Sequence, residues 1–561
     1  MTMHVPMKSR IGRLRHDLTA KVRRRAGAMA CDNPLYNWSL GGSVPDKLAV
    51  TPSDTWPGDP DRGRWLCGGA FALSEGLYLE LAGEYWEPEG VAEGWLVAMH
   101  GFEWLRDLRA LGGDAARRQA RDMAQDWIRR YQNWDGFAWR GDVTGLRIAN
   151  WIALYDFFGA SADDQWQDMM MESLMRQARH LARALPGALH GVGLLQGIRG
   201  LVFAGIALPG RENWLEQGLD LLEDETARQI LPDGGHVSRS PSQLVEALRV
   251  FIDIRGALRA GGYPVPPPVE HTIDRMAQAL RFFRYADKGL ALFHGAQEGD
   301  IGLLDCVLLK ANGNNSKGRI LRGLPQSGYE RVTVGRSVLM MDCGAPASYP
   351  HDHEAHAAPL AFEFMYGKER IFVSCGAHPL DRDWADALRA TAAHNTLGLD
   401  YRNACEIRND GHLGRRPRSV TVTRDENADA CLIEGSHDGY VPVNGITHRR
   451  RLYLGDGGHD LRGEENLTCT VGLSKSVDVA VRFHLHPRVQ VSLVKDGAEA
   501  LLRLPGGAGF RFFHSGGVMQ LENSIYMGTG ARARKTKQIV IYGQMNSDHA
   551  TLKWALQREG V

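Results

Sequence analysis

The chain has 561 residues, too many for one ordinary core, so two or three domains are expected. Hydrophobic residues make up 43% and charged residues 24%, the balance of a globular protein in water. Formal net charge is zero and the sequence pI is about 7.3, which removes the electrostatic argument for a nucleic-acid partner.

The first 35 residues read as a basic leader, frayed and solvated. They lack the continuous apolar core of a secretory signal, which points to the cytoplasm. No run of about 18 apolar residues occurs, so no transmembrane helix is expected. Eight scattered cysteines contain no C-x-x-C pair and read as free thiols.

From 36 to 290 the rhythm is helical. Amphipathic stretches of about 15–20 residues are separated by Gly, Pro and Asp breaks. Leu96, Met99, Phe102, Leu105 and Leu108 step at three and four; so do Met123, Trp127 and Tyr131, and Ile148, Trp151, Ile152 and Tyr155. Further helices are expected over 166–185, 194–208, 214–231, 244–258 and 273–283. Short connections imply antiparallel neighbours. Uneven lengths without a fixed repeat favour an (α/α) toroid over a solenoid. Twelve of the fourteen tryptophans lie up to Trp214, as core or as platforms for sugar rings.

Residues 291–328, rich in Gly and Asn, read as a linker. From 329 to 561 the period drops to two. YERVTVGRSVLMMDCG and PLAFEFMYGKERIFVSCG each read as two strands around a glycine turn. Short strands follow in SVTVTRDE, ACLIEGSHD, HRRRLYLGD, VDVAVRFHLHP, VQVSLVKDG, EALLRLPGG, GFRFFHSGG and QIVIYGQM, so an antiparallel β-sandwich is expected.

Histidines 351, 353, 356, 378 and 394 crowd the stretch 349–396. His353-Glu354-Ala355-His356 misses the H-E-x-x-H spacing, so a zinc-protease helix is rejected. His356 and His394 flank strand runs. They read as shared ligands of zinc or another divalent metal, as a general acid or base, or as hydrogen-bonded braces. Alternation places Arg482, His484 and His486 on one strand face, suited to a carboxylate-bearing ligand or to solvent. His236 and Arg239 sit in a Gly-rich loop between helices. Arg147 and Asn150, at i and i+3, share one side of a helix near its start, for anion binding or for structure. No Walker loop, dinucleotide fingerprint or G-x-S-x-G elbow is present.

The segments GYERVTVGRSVLMMDCG, AHAAPLAFEF, RATAAHNTLGLD, GSHDGYVPVNGITHRRRLYL, RFHLHP, HGFEWLRDLRALGGD and RIANWIALYDFF resemble the heparinase II/III-like family, in its alphaproteobacterial form. The resemblance spans Tyr36 to Trp554. It implies a toroid followed by an antiparallel β-sandwich, and a polysaccharide lyase that cleaves a uronic-acid glycan by β-elimination. An anionic polysaccharide or oligosaccharide is the implied partner. A dimer is allowed, and the periplasm is the alternative location. A clamp for the substrate carboxylate would come from Arg147, Asn150, His236 and Arg239. His236, His356, Arg147 and His190 are the implied catalytic candidates. Asn150, Arg239, Trp151, His484 and Arg482 are the binding candidates, and His356 with His394 the metal candidates.

The sequence departs from the lyase pattern at four places. Val192-Gly193 stands at the usual Asn-His, Gln243 near the usual Tyr, Glu354 and Ala358 in the H-x-H-A-D motif, and Ser374 at the usual metal-site Asp. A non-catalytic glycan-binding or envelope-assembly protein is therefore the competing reading, and metal-assisted hydrolysis a third.

Overall fold

A computed structural model describes residues 31–74, 77–81, 85–312 and 320–560. Most of the basic leader lies outside the described residues. The chain divides into two compact units. The first comprises 1–73, 78–227 and 249–270; the second comprises 74–77, 228–248 and 271–561.

The first unit is helical. In order come α1 (Pro34–Ser39), α2 (Pro60–Cys67), a two-stranded ribbon of β1 (Ala70–Ser74) and β2 (Leu77–Glu80), α3 (Glu93–Gly101), α4 (Leu105–Leu111), α5 (Gly113–Arg130), α6 (Gly141–Phe158), α7 (Asp164–Ala184), α8 (Gly191–Ala207) and α9 (Glu212–Gln229). The periodic run from Leu96 to Leu108 is two helices, because Phe102 takes a left-handed backbone at φ 61° and ends α3. α5 is amphipathic, with Met123 and Trp127 inward. α6 and α8 are apolar on nearly every side and buried along most of their length, as such helices must be. Their backbones touch: a Cβ at Gly200 would stand 2.4 Å from the Gly145 Cα, so neither position accepts a side chain.

α10 (Pro241–Ala260) starts in the second unit and ends in the first. α11 (Pro267–Phe283) follows, and α12 (Ile301–Asn312) occupies part of the stretch read as a linker.

The second unit then builds antiparallel sheets. β3 (Gly323–Leu324), β4 (Tyr329–Val334), β5 (Ser337–Asp342), β6 (Phe362–Tyr366) and β7 (Glu369–Phe372) pair in sequence order. Two-residue loops close β4–β5 and β6–β7. Each has glycine first, Gly335 at φ 55° and Gly367 at φ 63°, as primed hairpin turns require. After α13 (Arg382–Leu388) come β8 (Leu397–Leu399), β9 (Val420–Glu426), β10 (Cys431–Tyr440), α14 (Val441–Asn444), β11 (Ile446–Gly455), β12 (Asp460–Cys469), β13 (Val477–His484), β14 (Gln490–Val494), β15 (Glu499–Arg503), β16 (Gly509–Ser515), β17 (Val518–Tyr526), β18 (Arg534–Met545) and β19 (His549–Arg558). An eight-stranded sheet runs β14-β15-β16-β19-β12-β11-β10-β9, and a four-stranded one runs β17-β18-β13-β8. One core of alternate inward residues joins them to β4–β7, with Phe362, Phe483, Phe512 and Trp554 ring against ring.

Inside that core lies an ion pair. Glu465 on β12 faces Arg450 on β11 in register, and both side chains are fully buried. Arg450 also donates to the carbonyls of Leu360 and Asn395, each at 2.7 Å. Glu465 accepts from His448 at 2.7 Å and from the Trp554 indole at 3.2 Å. Burial raises the carboxyl pKa, but Arg450 and His448 outweigh it and hold it at about 2.

Removing one partner leaves the other charge buried and alone. Arg450→Met is expected to destabilise the fold by about 3–5 kcal/mol in urea titration, and pairing it with Glu465→Leu to recover part of the loss.

Candidate functional site

One set of buried titratable groups of the second unit meets around the end of β5. Asp342 closes β5, with Arg239 donating to one carboxylate oxygen and His294 Nε2 lying 2.9 Å from the other. These partners overcome burial and hold Asp342 at about 2. His294 comes from the segment after α11 and has a left-handed backbone at φ 46°. Its Nδ1 accepts the His356 backbone N–H at 2.9 Å, and the Gly295 N–H reaches His356 Nε2 at 2.9 Å. The His356 ring stacks on His394, centroids 4.0 Å apart.

The histidine loop is held from outside by Asp352 and Arg389. Buried Asp352 accepts from His412 and Arg416, each at 2.6 Å, and from the Leu413 N–H. Arg389 donates to the carbonyls of Ala355, Gly411 and Asp352. His353 is exposed and lies ring against ring with His412 at 4.0 Å. His351 meets His236 edge-on at 6.3 Å.

This arrangement keeps its histidines neutral. Burial, with His394 and His294 adding repulsion, pushes His356 well below its ordinary value. Burial also takes His394 and His236 down to about 3, and His484 to about 4.

The structure does not fit a metal on His356 and His394. The rings are stacked, and the Gly295 N–H takes the lone pair of His356 Nε2. Among the described residues no group of three His, Cys, Asp or Glu is placed to hold an ion. Ser374 is buried and offers only a hydroxyl; its backbone N–H binds Glu363 at 3.0 Å. Burial raises that Glu363 carboxyl to about 7.

The residues expected to form the clamp are bonded to protein partners. Arg147, Asn150, Trp151 and His190 belong to the first unit. Arg147 is fully buried and donates to Gln177, to the His100 carbonyl at 2.9 Å and to the Ala138 carbonyl at 2.8 Å, over the Trp127 ring. Asn150 accepts from Arg106 and Arg199 and donates to the Gly101 carbonyl. Trp151 packs edge-on against Phe102 and Trp127 with no exposed surface, so it offers no platform. His190 is exposed at the start of α8.

In the second unit Arg239 adopts φ 65° and spends its guanidinium on Asp342 and the carbonyls of Ser327, Gly328, Gly344 and Ala345. His236 bonds Ser238 at 2.7 Å and Gln229 at 3.1 Å. His484 bonds Ser524 and the Ala392 carbonyl. Arg482, on the same strand face, stays partly exposed, and its guanidinium makes no hydrogen bond or ion pair among the described residues. Gln243, near the usual Tyr, donates to Glu354, at the usual first His, at 2.8 Å. Burial raises the Glu354 carboxyl above its ordinary range.

Sequence reading missed His294, Asp342 and the Gln243–Glu354 pair. His294 lay in the supposed linker; its signal is an apolar run ending in His-Gly. Asp342 ends an apolar strand, where an acid needs partners.

The folded state holds His236, His394 and His484 neutral, with pKa values below the unfolded 6.5. Their stabilisation is complete above pH 6.5 and is lost as pH falls towards 4, each contributing about 2 kcal/mol less at pH 5. The urea midpoint should fall steeply from pH 7.5 to 5, and His394→Leu should flatten the slope by about one proton.

Residues 94–304 match the Heparinase II/III N-terminus profile and residues 316–555 the Heparinase II/III-like, C-terminal profile. FtsZ-localized protein C of Caulobacter vibrioides is 31% identical over 542 residues, covering 92% of this chain and 91% of that protein. Among solved structures, heparinase III aligns with TM-score 0.74 at 14% identity, covering 96% of this chain and 91% of that one. Heparan sulfate lyase HepC from Pedobacter heparinus aligns with TM-score 0.61 at 15% identity, covering 93% and 87%. At these identities the structures establish the fold, a helical toroid followed by an antiparallel sheet-rich domain. The chain belongs to the heparinase II/III family.

Proposed function

We propose that this chain is a non-catalytic member of its family, an envelope-assembly protein that binds an anionic glycan and localises with FtsZ. The Gln243–Glu354 hydrogen bond carries the reading. β-Elimination needs a base for the C5 proton, an acid for the leaving oxygen and a donor clamp for the carboxylate. By the family resemblance, Gln243 stands near the catalytic Tyr and Glu354 at the first His of the H-x-H-A-D motif. An amide does not transfer protons near neutral pH, and here it is tied to the carboxyl. Arg239 and His236 are bonded to protein partners instead of being presented to a ligand. The likeness to FtsZ-localized protein C over nearly the whole chain supports a place at the division site. Glycan binding follows the scaffold's polysaccharide-handling relatives.

Two measurements test this. Purified protein incubated with heparan sulfate, hyaluronan and alginate should give no rise in the ultraviolet absorbance of unsaturated uronates. A fluorescently tagged chain should co-localise with FtsZ rings in dividing cells. Absorbance that rises with the wild type and disappears in His236→Ala would restore the lyase reading.

A further inference from the structure

The second unit contains a pocket that none of the expected chemistry uses. It measures about 120 Å³ and lies beside β8 and β13, lined by Gly398, Tyr401, Arg402, Asp478, Arg482 and Tyr542 among others; the Asp478 carboxylate accepts from Gln544 at 3.2 Å. β8 pairs antiparallel with β13, from Leu397 against Val481 to Leu399 against Val479, and the Arg482 backbone N–H bonds the Thr396 carbonyl just before β8 begins. A Cβ at Gly398 would stand 3.5 Å from an Arg482 guanidinium nitrogen, which places that nitrogen over the glycine at ordinary contact distance.

Two observations point to a ligand. Arg482 is half-buried and Arg402 exposed, and neither guanidinium makes a hydrogen bond or ion pair among the described residues. Five other half-buried or buried arginines of this unit, Arg239, Arg370, Arg389, Arg415 and Arg450, donate to carbonyls or carboxylates. The larger hollow on the eight-stranded sheet, about 570 Å³, is a contrast. Its cations are already matched, Arg462 with Asp460 at 2.6 Å and Lys553 with Glu464 at 3.1 Å.

The second observation is backbone strain at the rim. The tight turn Leu399–Arg402 has two central residues with positive φ, Asp400 at 47° and Tyr401 at 55°. A turn of this kind favours Asn-Gly, yet no glycine is present. Asp400 is over-determined: its carboxylate accepts from the Asp478 N–H and from Asn444. Tyr401 has no such anchor and is 84% exposed. A strained turn that presents an exposed aromatic ring beside two unspent guanidiniums is a recognition arrangement.

We propose that this pocket binds a carboxylate-bearing sugar residue of an anionic glycan. Arg482 and Arg402 take the carboxylate, whose planar pair of oxygens matches a guanidinium fork. Tyr401 covers the sugar ring, and the pocket's volume limits entry to one such residue. His484, on the same strand face, is buried behind the pocket and acts only as support. The proposal deepens the glycan-binding part of the function proposed above by giving it a site.

The test is a ligand-observed NMR titration of the full chain with D-glucuronate, with D-glucose and acetate as matched probes, and a hyaluronan pull-down alongside. Glucuronate should bind more than about tenfold tighter than either matched probe. Arg482→Gln and Arg402→Gln should each weaken it about tenfold or more, with circular dichroism unchanged. Tyr401→Gly should weaken binding while raising the thermal midpoint, which a purely structural turn residue would not couple. Glucuronate binding unchanged in both arginine variants overturns the pocket and leaves glycan binding standing. Equal binding of acetate overturns the sugar assignment. Failure of the wild type to bind both glucuronate and hyaluronan overturns the pocket together with glycan binding.

Discussion

The Arg450–Glu465 pair holds together the parts of the second unit that strands cannot. Leu360 and Asn395 lie in irregular segments, so their buried carbonyls have no ladder partner and need a donor from elsewhere. Arg450 supplies both, and Glu465 compensates its charge with help from His448 and the Trp554 indole. Asn395 extends the brace, donating to the Phe362 carbonyl and accepting the His484 N–H. His394 precedes Asn395 and His356 precedes Leu360 by four residues, so their stacked rings hang from this one charged contact. An apolar pair of the same volume would pack but leave two carbonyls unsatisfied, which explains a buried charge at the centre of an aromatic core.

The strands were legible where inward positions are apolar. β4 to β7 were legible as short, largely apolar runs around glycine turns, β5 and β6 being buried at every position. β12 was not, because its inward residues are Leu461, Gly463, Glu465, Leu467 and Cys469. One glycine makes room for Trp554 and one carboxylate joins the ion pair, so the alternation is hidden in the residues that matter most to the core. β19 hides differently: Leu552, Trp554, Ala555 and Leu556 fit a helical as well as a strand period.

The candidate site was legible as a set of residue types and not as a set of bonds. Arg147 and Asn150 do share one side of α6, as their spacing says. That side points inward, because Leu146, Ile148, Ala149, Trp151 and Ile152 surround them and leave no solvent face. The same holds for the histidine crowd. Its members separate into exposed His353 and buried His356 and His394, and only tertiary contacts decide which is which.

Residual hydrogen-bonding capacity is what separates structural from ligand-facing polar groups in this chain. Arg147, Arg239, Arg389 and Arg450 each carry five donors and spend them on fixed protein acceptors, so a ligand would have to displace bonds already made at good geometry. His356 meets backbone donors at its ring and Gln243 meets Glu354, with the same consequence. On the reading proposed above, the fold keeps its shape while these groups are committed to protein partners. Binding does not need those groups. It needs donors left over at a surface, and a carboxylate is the ligand whose oxygen pair a guanidinium fork matches best.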